Sequence, residues 1–232
     1  MSDVQKVQVG AVQLAYRVWG EEDAPPALLL HCLGEDGEDW RGVVGRLAGT
    51  HRVLALDQRG HGHSDWPGDY GFTQWRDDVI GFLQALGLER VTLIGHSLGA
   101  VAALLVAAER PDLVGRLVLE EVPPPVPADG PQEVPEQPAG PQSFDWQAKV
   151  AVVAEHSAPD PVWWQALAKI TAPTLVIGGG DTGQAARGHL DELTERIPDA
   201  RLVTVEGAGH LVHEERPGEF LAAVNSFLAP SP

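Results

Sequence analysis

A serine framed by glycines, in the order Gly95-His96-Ser97-Leu98-Gly99, is the segment best suited to nucleophilic chemistry. The apolar run Val91-Thr92-Leu93-Ile94 precedes it and an Ala- and Leu-rich segment follows it, which predicts a strand, a sharp turn and a helix. Such a turn strains the backbone of Ser97 and exposes its hydroxyl above the sheet edge, while the glycines allow close approach of neighbouring chains. The amide of Leu98 would point at a developing oxyanion. Ser97 is therefore the candidate nucleophile.

A histidine near the end of the sequence is the candidate base. His210 ends the segment Gly207-Ala208-Gly209-His210, which follows the last predicted strand. This glycine-framed loop can bring an imidazole beside Ser97 and accept its proton. We expect His213, three residues further on, to be structural or solvated.

Apolar runs predict the strands that must position these side chains, at residues 13–18, 27–31, 53–56, 91–94, 117–119, 174–177 and 202–205. Apolar residues spaced three and four apart predict helices at residues 77–86, 98–109, 190–197 and 217–228. The alternation of strands and helices predicts an α/β fold, with a mostly parallel central sheet flanked by helices on both faces.

The alternation breaks between residues 122 and 162, where eight prolines crowd positions 123 to 141. Proline cannot donate to a strand ladder, so this segment is predicted to be irregular. Both of its ends join core strands, which favours a short cap or lid over 122–162 rather than a mobile linker. The length of 232 residues predicts one domain over 1–232 that carries this insertion.

The formal net charge of −17 disfavours nucleic acid and anionic membrane surfaces as partners. The first residues lack a signal-peptide pattern and no apolar run approaches a bilayer span, so we expect a cytoplasmic protein. Cys32 is the only cysteine, which excludes an intrachain disulfide and a thiolate metal cluster. The sequence has no dinucleotide fingerprint, P-loop or metal-ligand spacing, so we expect a small-molecule substrate, no cofactor and no metal.

Four motifs, each following a predicted strand, together resemble the α/β-hydrolase superfamily over nearly the whole chain. They are Leu30-His31-Cys32-Leu33-Gly34, Asp57-Gln58-Arg59-Gly60-His61-Gly62-His63-Ser64, Gly95-His96-Ser97-Leu98-Gly99 and Gly207-Ala208-Gly209-His210. The resemblance implies the α/β-hydrolase fold, a triad in the order Ser, acid, His, and a short Pro-rich cap inserted after strand 6.

The acid of that triad has two candidates. In the common arrangement it follows the seventh strand, 28 residues before the histidine, where this chain has Thr182 with Asp181 one place earlier. Haloalkane dehalogenases and a group of small esterases instead carry the acid after the sixth strand, 24 residues past the nucleophile, which is Glu121 here. Those esterases also have a turn similar to the segment Gly178-Gly179-Gly180-Asp181-Thr182. We favour Glu121 and keep Asp181 as the alternative acid.

The second oxyanion donor implied by the resemblance is the amide of Leu33, which would pair with that of Leu98. The family usually has His-Gly before this position, and this chain has His31-Cys32. We expect Cys32 to be a small buried side chain that leaves the loop conformation intact.

Tryptophans predict an apolar pocket. Trp40 follows the oxyanion loop, whereas Trp146 and Trp164 lie in or beside the predicted lid, so all three are candidate substrate contacts.

These residues predict a serine hydrolase that cleaves a small, largely apolar carboxylic ester or lactone through an acyl-enzyme on Ser97. Alternatives with the same motifs are a C–C bond hydrolase and an acyl hydrolase that tailors natural products. A weakly catalytic ligand-binding protein is a third. Epoxide hydrolases and dehalogenases are disfavoured, because they need a carboxylate where this chain has Ser97.

Overall fold

Eight strands form one sheet in the part of the chain that the computed structural model describes, residues 3–123, 133–158 and 162–229. In chain order they are β1 (Gln5–Val9), β2 (Val12–Trp19), β3 (Pro26–Leu30), β4 (Arg52–Asp57), β5 (Val91–His96), β6 (Val114–Glu120), β7 (Thr174–Gly178) and β8 (Ala200–Thr204). They lie side by side in the order β1-β2-β4-β3-β5-β6-β7-β8. The pairings of β2 with β1 and β4 are antiparallel and the others are parallel, so the predicted mostly parallel sheet is confirmed.

Helices cover both faces of the sheet. In chain order they are α1 (Arg41–Leu47), α2 (Phe72–Ala85), α3 (Leu98–Glu109), α4 (Trp146–Ser157), α5 (Val162–Leu167), α6 (Arg187–Arg196), α7 (Val212–Glu215) and α8 (Pro217–Leu228). Val43 of α1 and Phe220 of α8 belong to the apolar cluster on one face, and Phe82 of α2 and Leu104 of α3 to the cluster on the other. None of the described helices combines the length and apolar character needed to cross a membrane.

Strand β3 shows why the central strands are apolar throughout. Its Leu28 and Leu30 pack into the cluster with α2 and α3, whereas Ala27 and Leu29 pack into the cluster with α1 and α8. Because both faces are covered, the strand does not alternate between apolar and polar residues. Parallel strands place their carboxyl ends at one edge of the sheet, and the motif residues gather there.

Most predicted elements are present with small shifts of their ends. The helices predicted at 98–109 and 217–228 have the bounds of α3 and α8, while α2 begins five residues before the predicted start. Sequence reasoning missed β1, whose residues are mostly exposed, and α1, a short helix that contains two glycines.

The predicted lid, 122–162, contains regular structure. Its residues 124–132 and 159–161 lie outside the described residues. The expectation of an irregular segment is wrong for residues 146–157, which form α4. The helix begins after the eight prolines of positions 123 to 141, and the Asp145 side chain caps it by accepting the N–H of Gln147 at 3.0 Å.

Hydrogen bonds tie α4 to the loop that follows β4 and to the start of α2. The Tyr70 hydroxyl donates to the Asp145 carboxylate at 2.7 Å, and the Asp145 N–H donates to the Gly60 carbonyl at 2.8 Å. Near the other end of α4, the Glu155 carboxylate accepts the N–H of Phe72 at 3.2 Å. The helix is therefore held at the sheet edge where the motif residues gather.

Candidate active site

Ser97 stands on the sharp turn between β5 and α3. Its backbone has φ 51° and ψ −111°, a strained conformation for a residue with a side chain. A Cβ at Gly95 would overlap the backbone of Gly99, and a Cβ at Gly99 would overlap the backbone of Leu30. The glycines are therefore required by close packing of β3, β5 and α3. The Ser97 N–H donates to the Glu120 carbonyl at 3.0 Å, which fixes the turn against β6.

His210 lies in a loop after β8 that glycines shape. Gly207 and Gly209 have φ values of 70° and 65°, in the left-handed region that favours glycine. The His210 carbonyl accepts a hydrogen bond from Nε2 of His96 at 2.8 Å, which links this loop to the residue before Ser97. The two imidazole rings lie with centroids 4.7 Å apart. His210 and Ser97 line the same cavity.

The structure brings Glu121 to His210. Oε2 of Glu121 lies 3.3 Å from Nδ1 of His210, and the Glu121 side chain is fully buried. Backbone N–H groups of Gly179, Gln184 and Ala185 donate to the same carboxylate at 2.7, 2.7 and 3.0 Å. Burial alone would raise the pKa of Glu121, but the His210 contact and these amides outweigh it and hold the pKa below its usual value. Glu121 is therefore ionised at neutral pH.

Asp181, the alternative acid, is exposed in a short 3₁₀ turn after β7, Gly180–Thr182. Among the described residues, His210 has no hydrogen bond or ion pair with Asp181. The turn supports the histidine loop in another way, because Oγ1 of Thr182 accepts the Gly209 N–H at 3.1 Å.

The predicted oxyanion residues Leu33 and Leu98 line the cavity together with Ser97. Cys32 is buried, and its φ is not positive, so the loop does not require glycine there. Burial raises the pKa of the Cys32 thiol well above its usual value, and the charges of Asp39 and Glu35 raise it further. The thiol is therefore protonated and a poor nucleophile.

A cavity of about 600 Å³ joins these groups. One wall comes from α4, whose Lys149, Val152, Val153 and His156 face it. The complete lining within the described residues is Cys32, Leu33, Ser97, Leu98, Glu121, Pro123, Lys149, Val152, Val153, His156, Gln184, Ala185, Ala186, His189 and His210. The wall contributed by α4 is polar at both ends and apolar between them.

The three predicted tryptophan contacts do not line this cavity, as far as the chain is described. Trp40 is fully buried and stacks on the ring of His213, with centroids 4.2 Å apart. Trp146 packs near Phe144, and Trp164 lies under the guanidinium of Arg196 at 4.6 Å. These rings pack against protein, and the α4 residues named above line the described cavity in their place.

Sequence reasoning missed Lys149 and His156. The signal was present, because Lys149, Val152, Val153 and His156 have the i, i+3, i+4, i+7 spacing of one helix face. The nearby prolines masked it, since they favoured an irregular segment.

A buried ionic cluster lies behind the histidine loop. Nδ1 of His213 contacts the Glu120 carboxylate at 2.8 Å, and its Nε2 lies 3.3 Å from the Asp39 carboxylate. Burial lowers the pKa of His213, but Glu120 and Asp39 outweigh it and raise the pKa to about 10. His96, Glu120 and His213 are close enough to share a metal ion. A protonated His213 contacts both carboxylates, so the cluster fits an ion-pair network rather than a metal centre.

Comparison with known proteins places this geometry in a family. A model of the alpha/beta hydrolase family matches residues 27–224. The mouse sn-1-specific diacylglycerol lipase is 28% identical over 90% of this chain and 83% of its own length. Esterase YbfF of Escherichia coli is 26% identical over 88% of this chain and 92% of its own length. The enol-lactonase structure from Burkholderia xenovorans covers 97% of this chain and 99% of its own, with 26% identity and a TM-score of 0.84. The chain belongs to the alpha/beta hydrolase family.

Proposed function

We propose that this hydrolase cleaves a carboxylic ester or lactone through an acyl-enzyme on Ser97. The observation that carries the proposal is the contact of His210 with Glu121 at 3.3 Å, in a cavity that Ser97 also lines. The strained turn at Ser97 is the geometry expected of an exposed nucleophile. Relatives named as a lipase, an esterase and an enol-lactonase support this class of substrate.

The first half-reaction transfers the acyl group to Ser97. Because Nδ1 of His210 faces Glu121, Nε2 is the atom that takes the Ser97 proton as Oγ attacks the carbonyl carbon. The carbonyl electron pair moves to oxygen, and the N–H groups of Leu33 and Leu98 stabilise the resulting oxyanion. Glu121 holds the productive tautomer and stabilises the imidazolium.

The first half-reaction ends when the tetrahedral intermediate collapses: the bond to the leaving oxygen breaks, His210 gives that oxygen its proton, and the acyl group stays on Ser97. The second half-reaction releases the acid. Water attacks the acyl carbon while His210 removes the water proton. A second collapse returns that proton to Ser97 and frees the carboxylic acid. With a lactone, the released hydroxyl stays attached to the acid product.

The cavity constrains the size of the acyl group. A volume of about 600 Å³ suits a small molecule rather than a long polymer. Leu33, Val152 and Val153 offer apolar surface to a short chain. A maximum in rate is therefore expected at an intermediate acyl length.

Initial rates on p-nitrophenyl esters of increasing acyl length would test the proposal, with purified Ser97→Ala measured in parallel. We expect Ser97→Ala to lower kcat by roughly 10⁴- to 10⁶-fold without a loss of folding. Retention of most activity by the folded variant would contradict a serine nucleophile. Saturable binding of the esters with no turnover would instead indicate a ligand-binding protein.

A further inference from the structure

A single cation stands on the cavity wall that α4 forms. Lys149 begins the helix face that continues through Val152 and Val153 to His156, and all four residues line the cavity. Lys149 is half-buried. The Lys149 side chain therefore lines the same space as Ser97.

No described carboxylate compensates this cation. Within residues 3–123, 133–158 and 162–229, Lys149 has no ion pair shorter than 4.0 Å. Glu121 is the acidic residue in the described lining, and its oxygens already accept three backbone N–H groups besides contacting His210. Aspartate and glutamate total 33 against 16 lysines and arginines, so an unpaired lysine inside the cavity is unexpected.

His156, at the other end of this helix face, does not supply a second positive charge. Burial, and then the charge of Lys149, lower the pKa of His156, so its imidazole is neutral at neutral pH. A neutral imidazole can donate one hydrogen bond to a ligand and adds no negative charge. The described lining therefore combines the unpaired charge of Lys149 with the neutral imidazole of His156 and with the Glu121 carboxylate, which already accepts three backbone N–H groups.

A partly desolvated ammonium gains most from an ionised acceptor, because charge-assisted hydrogen bonds are about twice as strong as neutral ones. The net charge of −17 does not cancel this preference, since exposed charges are largely screened beyond about 8 Å at physiological ionic strength. We propose that the natural substrate is an ester or lactone with a free carboxylate, which Lys149 binds. This inference rests on the proposed hydrolase function and replaces the expected largely apolar substrate.

Two esters that differ in a single charge test the proposal. Mono-4-nitrophenyl adipate has a free carboxylate, and its methyl ester has the same chain without the charge; the glutarate and pimelate pairs vary the chain length. The readout is the ratio of kcat/KM for the acid to that for the methyl ester, after subtraction of the Ser97→Ala rate. The wild type should favour the acid. Lys149→Met should lower the ratio by roughly 10- to 100-fold.

Two variants control for the position and the charge. Lys149→Arg keeps a cation on the wall and should retain preference for the acid. Lys169→Met removes an exposed lysine that does not line the cavity and should keep the wild-type ratio. A wild-type ratio of one or below, or an unchanged ratio in folded Lys149→Met, would overturn the proposal.

A binding measurement separates this proposal from the proposed function. Absence of Ser97-dependent turnover would count against the serine hydrolase, whatever the charge of the ester. Calorimetry on Ser97→Ala with monomethyl adipate and dimethyl adipate then tests the anion site without catalysis. Tighter binding of the monomethyl ester, lost in Ser97→Ala/Lys149→Met, supports the site, and equal affinities overturn it.

Discussion

The carboxylate of Glu121 is surrounded by hydrogen-bond donors. It accepts the N–H groups of Gly179, Gln184 and Ala185 and contacts Nδ1 of His210. An ionised carboxylate only accepts hydrogen bonds, so it suits this environment, whereas an amide would direct its own N–H groups at one of these donors. The residue is therefore specified both by its charge and by its acceptor capacity.

Glu121→Gln is expected to lower kcat by about 10⁴-fold, because the amide cannot hold the His210 tautomer that accepts the Ser97 proton. It should also lower the free energy of unfolding by about 1–3 kcal/mol, since a donor then faces a buried donor. The measurements are kcat on the best p-nitrophenyl ester and chemical denaturation of the same samples.

Asp181→Asn is the matched control for this prediction. Asp181 is exposed and has the same kind of charge, so its amide should leave activity and stability close to those of the wild type. Severe loss of activity in Asp181→Asn with near-normal Glu121→Gln would reverse the assignment of the acid.

At the scale of single residues, the sequence predicts which residues a special backbone conformation requires. It does not predict the direction in which a side chain points. The glycine pattern singles out Ser97 because few other residue types permit that turn. The number of tryptophans says nothing of where a ring points, and Trp40 packs on His213 rather than on a ligand. Lys149 could be predicted as a cavity residue only after the helical face of α4 had been recognised.

Among the elements, the junction of β5 and α3 has no room for a side chain at either of its glycines. Gly95 and Gly99 let the turn pass against the backbone of β3, so the position of Ser97 depends on the absence of two side chains. Neither glycine needs a positive φ, so steric contact alone excludes larger residues. Substitution there tests packing between elements rather than conformational preference.

Gly99→Ala is expected to destabilise the fold by about 1–3 kcal/mol or more, because the added methyl group meets the backbone of Leu30, which cannot rotate away. The melting temperature should fall by roughly 2–4 °C for each kcal/mol. Gly45→Ala is the control, since Gly45 is exposed within α1 with open space around it, and alanine there should stabilise by up to about 1 kcal/mol. Equal melting temperatures for Gly99→Ala and the wild type would contradict the packing argument.

Periodicity predicted the elements whose pattern is local. Helix α8 begins at Pro217, whose fixed φ suits the first turn, and a continuous 3.6-residue pattern follows. Strand β1 depends on its pairing with β2, since its residues alone are largely polar. Helix α4 is anchored by Tyr70, 75 residues away in sequence, a contact that no local pattern reveals.

Over the whole molecule, one buried ionic cluster joins segments that are far apart in sequence. His213 belongs to α7 near the end of the chain, Glu120 ends β6, and Asp39 lies before α1. Their side chains are almost fully removed from water. A buried charge without its partner is costly, so the cluster links the stability of these three segments to the protonation of His213.

His213→Gln is expected to lower the free energy of unfolding by about 3–5 kcal/mol at pH 6, because it leaves two buried carboxylates without a cation. His213 has a pKa of about 10 when folded, against 6.5 for the ordinary imidazole. Its contribution is therefore complete below pH 6.5 and is lost as the pH rises through 10. Denaturation of the wild type and of His213→Gln between pH 6 and 10 should show the difference in their free energies of unfolding shrinking.

His189→Gln is the control. His189 is half-buried with no described carboxylate within 4.0 Å, so this variant should change stability little. A His213→Gln deficit that stays constant over this range would mean that lost packing on Trp40, rather than lost charge, explains the destabilisation.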